Sequence, residues 1–121
     1  MKRKLNFIVL LSAIILTFLS GCHKKCENKD ACNYDEKGDC IRKGNVTFWT
    51  DNLDATVSVT ISGTTESIVS ELSSEPNCNA TGCANFSLCS GTYNYVASSH
   101  YDDWSGTVTI TEDGCVKICL N

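Results

Sequence analysis

Nine cysteines in a chain of only 121 residues are the feature that most limits what this protein can fold into. A cysteine content this high in a short chain is typical of disulfide-braced proteins that fold in an oxidising compartment. A domain of about 100 residues buries only about 60–65% of the surface of its unfolded chain, so its core needs covalent support. We therefore expect an exported protein whose small core is stabilised by disulfides.

The first residues have the layout of an export signal. Lys2, Arg3 and Lys4 precede an uncharged apolar run, FIVLLSAIILTFL. A basic start, a short apolar run and small residues before a cut are typical of a secretory signal. The run is shorter than the roughly 20 residues that a membrane-spanning helix needs. A cleaved signal peptide is predicted over residues 1–21.

The end of this signal, Leu19-Ser20-Gly21-Cys22, resembles the lipobox of bacterial lipoproteins. In that family the cysteine thiol is joined to a diacylglycerol, the preceding peptide is removed, and the new amino terminus usually takes a further acyl chain. The resemblance implies lipidation at Cys22 and stable attachment to a membrane, because two or more acyl chains suffice for it. The alternative is an ordinary signal followed by a chance cysteine.

Lipid at Cys22 would be the anchor of an otherwise acidic chain. Once Lys2, Arg3 and Lys4 leave with the signal, seven basic residues face fourteen acidic ones, a net charge near −7. Such a chain lacks the basic patches that nucleic acids require, and no motif implies a cofactor. His23 follows the lipid cysteine where enteric inner-membrane lipoproteins have aspartate, so we expect the outer membrane.

The remaining cysteines form an even set, which supports the assignment of Cys22 to lipid. They are Cys26, Cys32, Cys40, Cys78, Cys83, Cys89, Cys115 and Cys119. Three precede the predicted domain and five lie within it. If all eight pair, at least one disulfide must join the N-terminal segment to the domain.

Among the many pairings of eight cysteines, we favour two. Cys78 and Cys83 enclose a short flexible loop that could close on itself. Cys89 shares the outward strand parity of Cys115 and Cys119, so it is expected to pair with one of them. Those two cannot bond each other, since four residues of strand span about 13 Å and a disulfide allows about 7 Å.

Residues 22–43 are polar and are predicted to form a tether and a cysteine-closed loop. The segment KDACNYDEKGDC resembles a contracted form of a cysteine motif, Ala-Cys-Asn-Tyr-Asp followed by Asp-Gly-Ser-Cys, of secreted Bacteroidota proteins. The resemblance implies a Bacteroidota source and secretion, and it does not point to an activity.

From Gly44 onward apolar residues alternate with polar ones, the pattern of half-buried strands. Val46 and Phe48 share one face, for example, and the stretch around Ile68 is either a strand or a short helical turn. Turn-forming residues separate the strands at the spacing of an all-β sandwich. We predict a small antiparallel β-sandwich of about six or seven strands over residues 44–121.

Within that region, ANFSLCSGTYNYVAS resembles the closing half of prealbumin-like sandwich modules, the carboxypeptidase regulatory-like, Cna-type B and PEGA domains. Such modules generally act as spacers, adhesion units or carbohydrate-proximal accessory units. The resemblance implies a non-enzymatic module that contacts protein or glycan, or one that is purely structural. Exposed aromatic residues can stack on sugars, and Trp49 and Tyr101 are the candidates here. Trp49 has an equal alternative as cover for a disulfide beneath the cysteine-rich loop, and Trp104 is expected in the core.

Two rival functions use other residues. A small hydrolase would use the loop His100–Asp103, where Ser99, His100 and Asp102 supply the residue types of a catalytic triad but are adjacent in sequence. A metal-binding protein would use the acidic loop Cys26–Cys40. Its calcium-type oxygen ligands are Asn28, Asp30, Asn33, Asp35 and Asp39, without the ligand order of an EF-hand. The cysteine spacings contain no Cys-x-x-Cys, which disfavours zinc.

Overall fold

The computed structural model describes residues 24–121, which form seven β-strands and no helix. The strands are β1 Gly44–Trp49, β2 Val57–Ile61, β3 Thr64–Ile68, β4 Ala84–Leu88, β5 Gly91–Ser98, β6 Asp103–Ile110 and β7 Cys115–Cys119. The predicted all-β fold is confirmed. Within residues 24–121, no helix offers the length and apolarity needed to cross a membrane. The predicted signal peptide and Cys22 lie outside the described residues.

The strands form two sheets. The first has the order β4-β1-β7, in which β1 pairs antiparallel with β4 and parallel with β7. The second has the order β3-β2-β5-β6 and is antiparallel throughout. The parallel β1–β7 pair is the one departure from the antiparallel pattern expected from sequence.

The alternating residues of both sheets face each other and form one core. In β1, Val46 and Phe48 are fully buried, as the parity of the sequence predicts. The Phe48 ring meets Phe86 of β4 edge-on at 6.0 Å and Tyr95 of β5 at 4.9 Å between centroids. Phe48 therefore joins the two sheets at the centre of the sandwich.

The segment around Ile68 is strand β3. It follows β2 through a two-residue turn at Ser62 and Gly63, both with positive φ (50° and 79°). Positive φ at both central residues is the geometry of a type I′ hairpin turn, whose twist matches that of the flanking strands. Ile68 is fully buried at the end of β3, so the strand alternative is confirmed.

The two ends of the sandwich differ, and we call them the near pole and the far pole. The near pole is where β1 begins at Gly44 and where the β6–β7 turn lies. There Asn45 is the register partner of Cys115, and the Lys43 carbonyl accepts a 3.1 Å hydrogen bond from the Asp113 amide. The far pole is where β1 and β7 end and where the β5–β6 turn, residues 99–102, reverses the chain.

The N-terminal loop, residues 24–43, is attached to the near pole. A disulfide Cys26–Cys40 closes the loop on itself, and a second disulfide, Cys32–Cys89, joins it to the end of β4. The Arg42 guanidinium forms an ion pair with Asp113 at 2.7 Å. A disulfide thus joins the N-terminal segment to the domain, although the pairing of all eight cysteines, from which the sequence would require it, does not occur.

A long segment between β3 and β4, residues 69–83, crosses the outer face of the first sheet, and we call it the strap. Cys78 of the strap is bonded to Cys115 of β7. Beneath the strap, the Thr47 hydroxyl accepts from the Asn79 amide and donates to the Asn85 side-chain oxygen, each at 2.9 Å. Thr47 is fully buried, so the outward face of this sheet is a second, polar interior.

The two disulfides predicted within the domain are wrong. Cys78 bonds Cys115 and not Cys83, because the strap carries Cys78 across the sheet. Cys89 bonds Cys32 and neither Cys115 nor Cys119. The reason is that β1 lies between β4 and β7, which separates those strands by about twice the 4.8 Å strand spacing. That separation exceeds the roughly 7 Å limit for a disulfide.

The expectation that all eight cysteines pair is also wrong, since Cys83 and Cys119 are free thiols. Cys119 is the register partner of Trp49 in β7. Cys83 immediately precedes Ala84, the partner of Phe48, so it lies beside Trp49 on the opposite side of β1. The same central strand that separates Cys89 from Cys115 keeps these two thiols apart.

Candidate binding surface

The loops of the far pole surround an open cleft of about 320 Å³, which we call the far-pole cleft. The β1–β2 connection, the β5–β6 turn and the end of the chain contribute its walls. Its lining includes Asp51, Asn52, Asp54, Ser99, Asp102, Trp104 and Asn121. A volume near 300 Å³ is at the lower end of the range for ligand sites.

The β5–β6 turn has a fixed shape because Ser99 forms hydrogen bonds with the backbone groups of the turn. The Ser99 hydroxyl accepts hydrogen bonds from the amides of Tyr101 and Asp102 at 3.2 and 3.0 Å. The Ser99 amide donates to the Asp102 carbonyl at 2.8 Å. A serine that bonds the backbone two and three residues ahead is a common device in turns. The turn is thereby positioned as one wall of the cleft.

The opposite wall is formed by the end of the chain. The Trp104 indole nitrogen donates to the Asn121 carbonyl at 3.1 Å, and the Leu120 amide donates to the Trp49 carbonyl at 2.9 Å. The Asn121 side-chain amide, with its nitrogen toward Asp51, donates to that carboxylate at 3.2 Å. These contacts hold the indole and the Asp51 carboxylate at the edge of the cleft.

The cleft is acidic. Three carboxylates, Asp51, Asp54 and Asp102, line it, and its lining contains no lysine or arginine. After Lys43 the sequence has a single basic residue, Lys117, which pairs with Glu75 of the strap at 3.6 Å on the first sheet. An anionic ligand would therefore find no cationic partner here.

No segment of residues 24–121 covers the outward face of the second sheet, which is rich in hydroxyl groups and which we call the hydroxyl face. Cross-strand register arranges its residues in rows. The two rows nearest the far pole are Ser67, Ser58, Ser98 and Asp103, and then Thr65, Thr60, Val96 and Ser105; beyond them lie Asn94 with Thr107 and Thr92 with Thr109. A shallow depression of about 370 Å³ lies over the first two rows.

The two surfaces meet at one residue. Trp104, at the start of β6, lines both the depression on the hydroxyl face and the far-pole cleft. Its ring is half-buried and packs against the core, as the sequence pattern predicts. The sequence did not predict that Trp104 would lie between the two surfaces. Strand alternation shows which face of the sheet a residue occupies, and it does not show how close the residue is to the end of the sheet.

The two predicted aromatic candidates differ in position. Tyr101 is 69% exposed at the tip of the β5–β6 turn and meets the His100 ring edge-on at 4.7 Å. Trp49 is half-buried at the end of β1, on the face that carries Cys83 and Cys119. The alternative that Trp49 covers a disulfide beneath the cysteine-rich loop is wrong, because that loop occupies the opposite pole.

The residues proposed for a hydrolase are not joined in the way a triad requires. Among the described residues, no hydrogen bond links the His100 imidazole to Ser99 or Asp102, and the Ser99 hydroxyl is engaged by the turn backbone. A triad needs its base within hydrogen-bond reach of both the nucleophile and the orienting carboxylate. The His100 ring packs on Tyr101 instead.

Two of the calcium candidates in the N-terminal loop, Asn33 and Asp35, make other contacts. Asn33 is buried, its oxygen accepts from the Ile41 amide at 2.7 Å and its nitrogen donates to the Asp39 carbonyl at 2.8 Å. Asp35 pairs with Lys25 at 3.3 Å. Between residues 24 and 121, no group of three or more His, Cys, Asp or Glu side chains is placed to hold a metal ion. Asn33 therefore acts as a structural brace of this loop.

The chain matches no protein-family model, no curated protein and no solved structure.

Proposed function

We propose that this protein is a lipoprotein of the bacterial outer membrane, anchored through Cys22, whose sandwich is a non-enzymatic binding module. The observation that carries the proposal is the arrangement of the two poles. The N-terminal loop is fixed to the near pole by Cys32–Cys89 and by the Arg42–Asp113 ion pair. The cleft and its neighbouring depression lie at the far pole.

The short connection to the proposed anchor supports this orientation. Cys26, the first cysteine of the loop, lies four positions after Cys22. An extended chain gains at most about 3.6 Å per residue, so this connection spans at most about 14 Å. A lipid at Cys22 would hold the near pole close to the bilayer and turn the far pole away from it. A ligand outside the membrane would then meet the cleft and the hydroxyl face first.

The chemistry of the far pole favours binding over catalysis. Its fixed turn, its indole and its carboxylates offer donors, acceptors and an aromatic surface in one place. Sites that orient a small ligand typically combine a concave surface with a few placed polar groups. The prealbumin-like resemblance of the sequence, with its adhesion and carbohydrate-proximal members, supports the same role.

The anchor is tested by the intact mass of the protein purified from its native membrane, with and without reduction. We expect the mass of residues 22–121 plus a diacylglycerol and an acyl chain, and a gain of six hydrogens from the three disulfides. Cys22→Ser should abolish lipidation, while Ser20→Ala, which keeps a small residue in the lipobox, should not. A full-length or unlipidated mass for the native protein would overturn the anchor.

A further inference from the structure

We propose that the hydroxyl face, over the two rows nearest the far pole, binds a neutral oligosaccharide. This inference rests on the proposed function, because it names the ligand of the binding module. It selects a glycan over a protein and an uncharged glycan over an acidic one.

The side chains of the depression match the hydrogen-bonding groups of a sugar. Ser58, Thr60, Ser98 and Ser105 each carry a hydroxyl, and all four line the depression. A hydroxyl donates one hydrogen bond and accepts others, as each sugar hydroxyl does. A surface of this kind can therefore pair with several sugar hydroxyls in succession, and neither side has to be charged.

The distribution of charge excludes acidic glycans and disfavours other charged ligands on the sheet. The four strands of the second sheet contain no lysine or arginine, and their charged residues are Glu66 and Asp103. An acidic sugar would meet carboxylates at both the depression and the cleft, with no cation to offset the repulsion. A neutral sugar can use the same carboxylates as hydrogen-bond acceptors, and such charge-assisted bonds are stronger than neutral ones.

The apolar surface suits a sugar better than a protein. Val96, 57% exposed in the second row, is the large aliphatic residue of the hydroxyl face. It offers contact for the C–H face of one sugar ring. A protein interface usually has a core enriched in aromatic residues and methionine. Among the described residues, the hydroxyl face carries no such cluster.

Hydrogen bonds between strands hold two pairs of side chains of the hydroxyl face. The Thr60 and Thr65 hydroxyls bond each other across strands at 2.8 Å, and those of Thr92 and Thr109 do so at 3.1 Å. These residues lie on strands whose inward faces form the core, so the side chains are held in place. A preorganised surface loses less conformational freedom on binding.

The two sheets also differ in what covers them. The outward face of the first sheet is closed by the strap through the Cys78–Cys115 disulfide. Within residues 24–121, no segment covers the hydroxyl face in this way, and its depression lies beside the far-pole cleft, with Trp104 in the lining of both.

The test measures binding of the lipidated, full mature protein in detergent micelles by isothermal titration calorimetry. The probes are neutral hexasaccharides of glucose, mannose, galactose and N-acetylglucosamine, with hexagalacturonate as the acidic comparison. Val96→Glu and Ser105→Glu put a longer side chain into the depression, where it occupies the space of a sugar ring. Thr109→Glu is the matched control, because it is exposed on the same strand β6 but lies about 13 Å from Ser105.

We expect at least one neutral hexasaccharide to bind, with Kd raised roughly tenfold or more by Val96→Glu and Ser105→Glu and unchanged by Thr109→Glu. Equal thermal unfolding of the three variants excludes misfolding as the cause, and Ser105, on an edge strand, keeps the test valid if Val96→Glu unfolds. Binding of no neutral hexasaccharide, preference for hexagalacturonate, or equal losses in all variants would overturn the inference. Lipidation measured on the same sample separates that failure from failure of the proposed anchor.

Discussion

Cys32 of the N-terminal loop and Cys89 at the end of β4 are joined by a disulfide across 57 residues of chain. This bond converts a polar segment with almost no apolar side chains into a fixed part of the near pole. The loop could not hold its place by burial alone, since Cys26 and Asn33 are its buried side chains.

Removal of this bond should destabilise the whole fold. A cross-link that closes a loop of this length lowers the entropy of the unfolded chain by an amount equivalent to about 4 kcal/mol. We expect the double variant Cys32→Ser/Cys89→Ser to lose about 2–4 kcal/mol in the free energy of unfolding, measured by urea titration. Cys26→Ser/Cys40→Ser should affect the sandwich less, because that disulfide closes a local loop outside the core. Equal losses in the two double variants would contradict the distinct role of Cys32–Cys89.

The two free thiols should react slowly in the folded protein. Burial raises the pKa of the Cys83 thiol, and burial together with the nearby Asp51 carboxylate raises that of Cys119. Because the thiolate is the reactive form, iodoacetamide should label both residues slowly at pH 8 and fully in urea without reductant. Mass spectrometry of the labelled protein, with Cys22 lipidated, should show two added groups after unfolding. Fast labelling of either residue in the native state would contradict their positions beside Trp49.

The same pKa shifts predict how stability depends on pH. A thiol whose pKa is higher in the folded state stabilises that state fully below the unfolded pKa, near 8.5, and loses this effect as pH rises through the folded value. The free energy of unfolding should therefore decrease above about pH 8.5. The decrease should be smaller in Cys83→Ala/Cys119→Ala than in the unchanged protein, as urea titrations at pH 7 and pH 10 would measure. An equal decrease in both proteins would assign the effect to other groups.

Thr47→Val should destabilise the protein although the two side chains have nearly the same shape. The change leaves the Asn79 amide and the Asn85 side chain without their buried partner beneath the strap. An unsatisfied buried polar group costs about 1–3 kcal/mol, and urea titration should show a loss in this range. Thr109→Val is the matched control, because the Thr109 hydroxyl also makes a side-chain hydrogen bond, to Thr92, but is exposed, so that water can replace the bond. A loss in Thr109→Val as large as in Thr47→Val would contradict the buried role of Thr47.

His100→Ala separates the binding module from a hydrolase. The His100 ring is exposed and packs on Tyr101, without a hydrogen bond to Ser99 or Asp102 among the described residues. We expect the variant to keep its thermal stability and its oligosaccharide Kd within twofold, since it supports neither the core nor the hydroxyl face. We also expect neither protein to hydrolyse p-nitrophenyl acetate above the buffer rate. Turnover by the unchanged protein that His100→Ala abolishes would replace binding by catalysis as the function.

The sequence predicts the strands well because their alternation is a local property. Val57, Val59 and Ile61 face the core, while Ser58 and Thr60 face outward, as their parity requires. For β3 a helical turn was the alternative, and the tight turn at Ser62 and Gly63 explains why this segment is a strand paired with β2. The outward rows of hydroxyl side chains were therefore readable from the sequence, although the depression over them was not.

The disulfide partners could not be predicted because they depend on which strands are neighbours. Parity correctly places Cys115 and Cys119 on an outward face, yet β1 inserts between β7 and β4 and removes Cys89 from reach. The parallel pairing of β1 with β7, the first and last strands, is a contact between distant parts of the chain. Nothing local in either segment specifies that contact. The even number of cysteines was therefore not enough to predict how many disulfides form.

The attachment of the N-terminal loop also determines how the protein would bear mechanical load. If a ligand at the far pole is pulled away from an anchored Cys22, tension reaches the sandwich by two routes. One passes through Lys43 into β1, and the other passes through the Cys32–Cys89 disulfide into the end of β4. Since β1 and β4 are hydrogen-bonded neighbours, the load is shared between two strands at one end. Separation of β1 alone from its sheet, the easier way to unfold a sandwich under load, is thereby opposed by the Cys32–Cys89 disulfide.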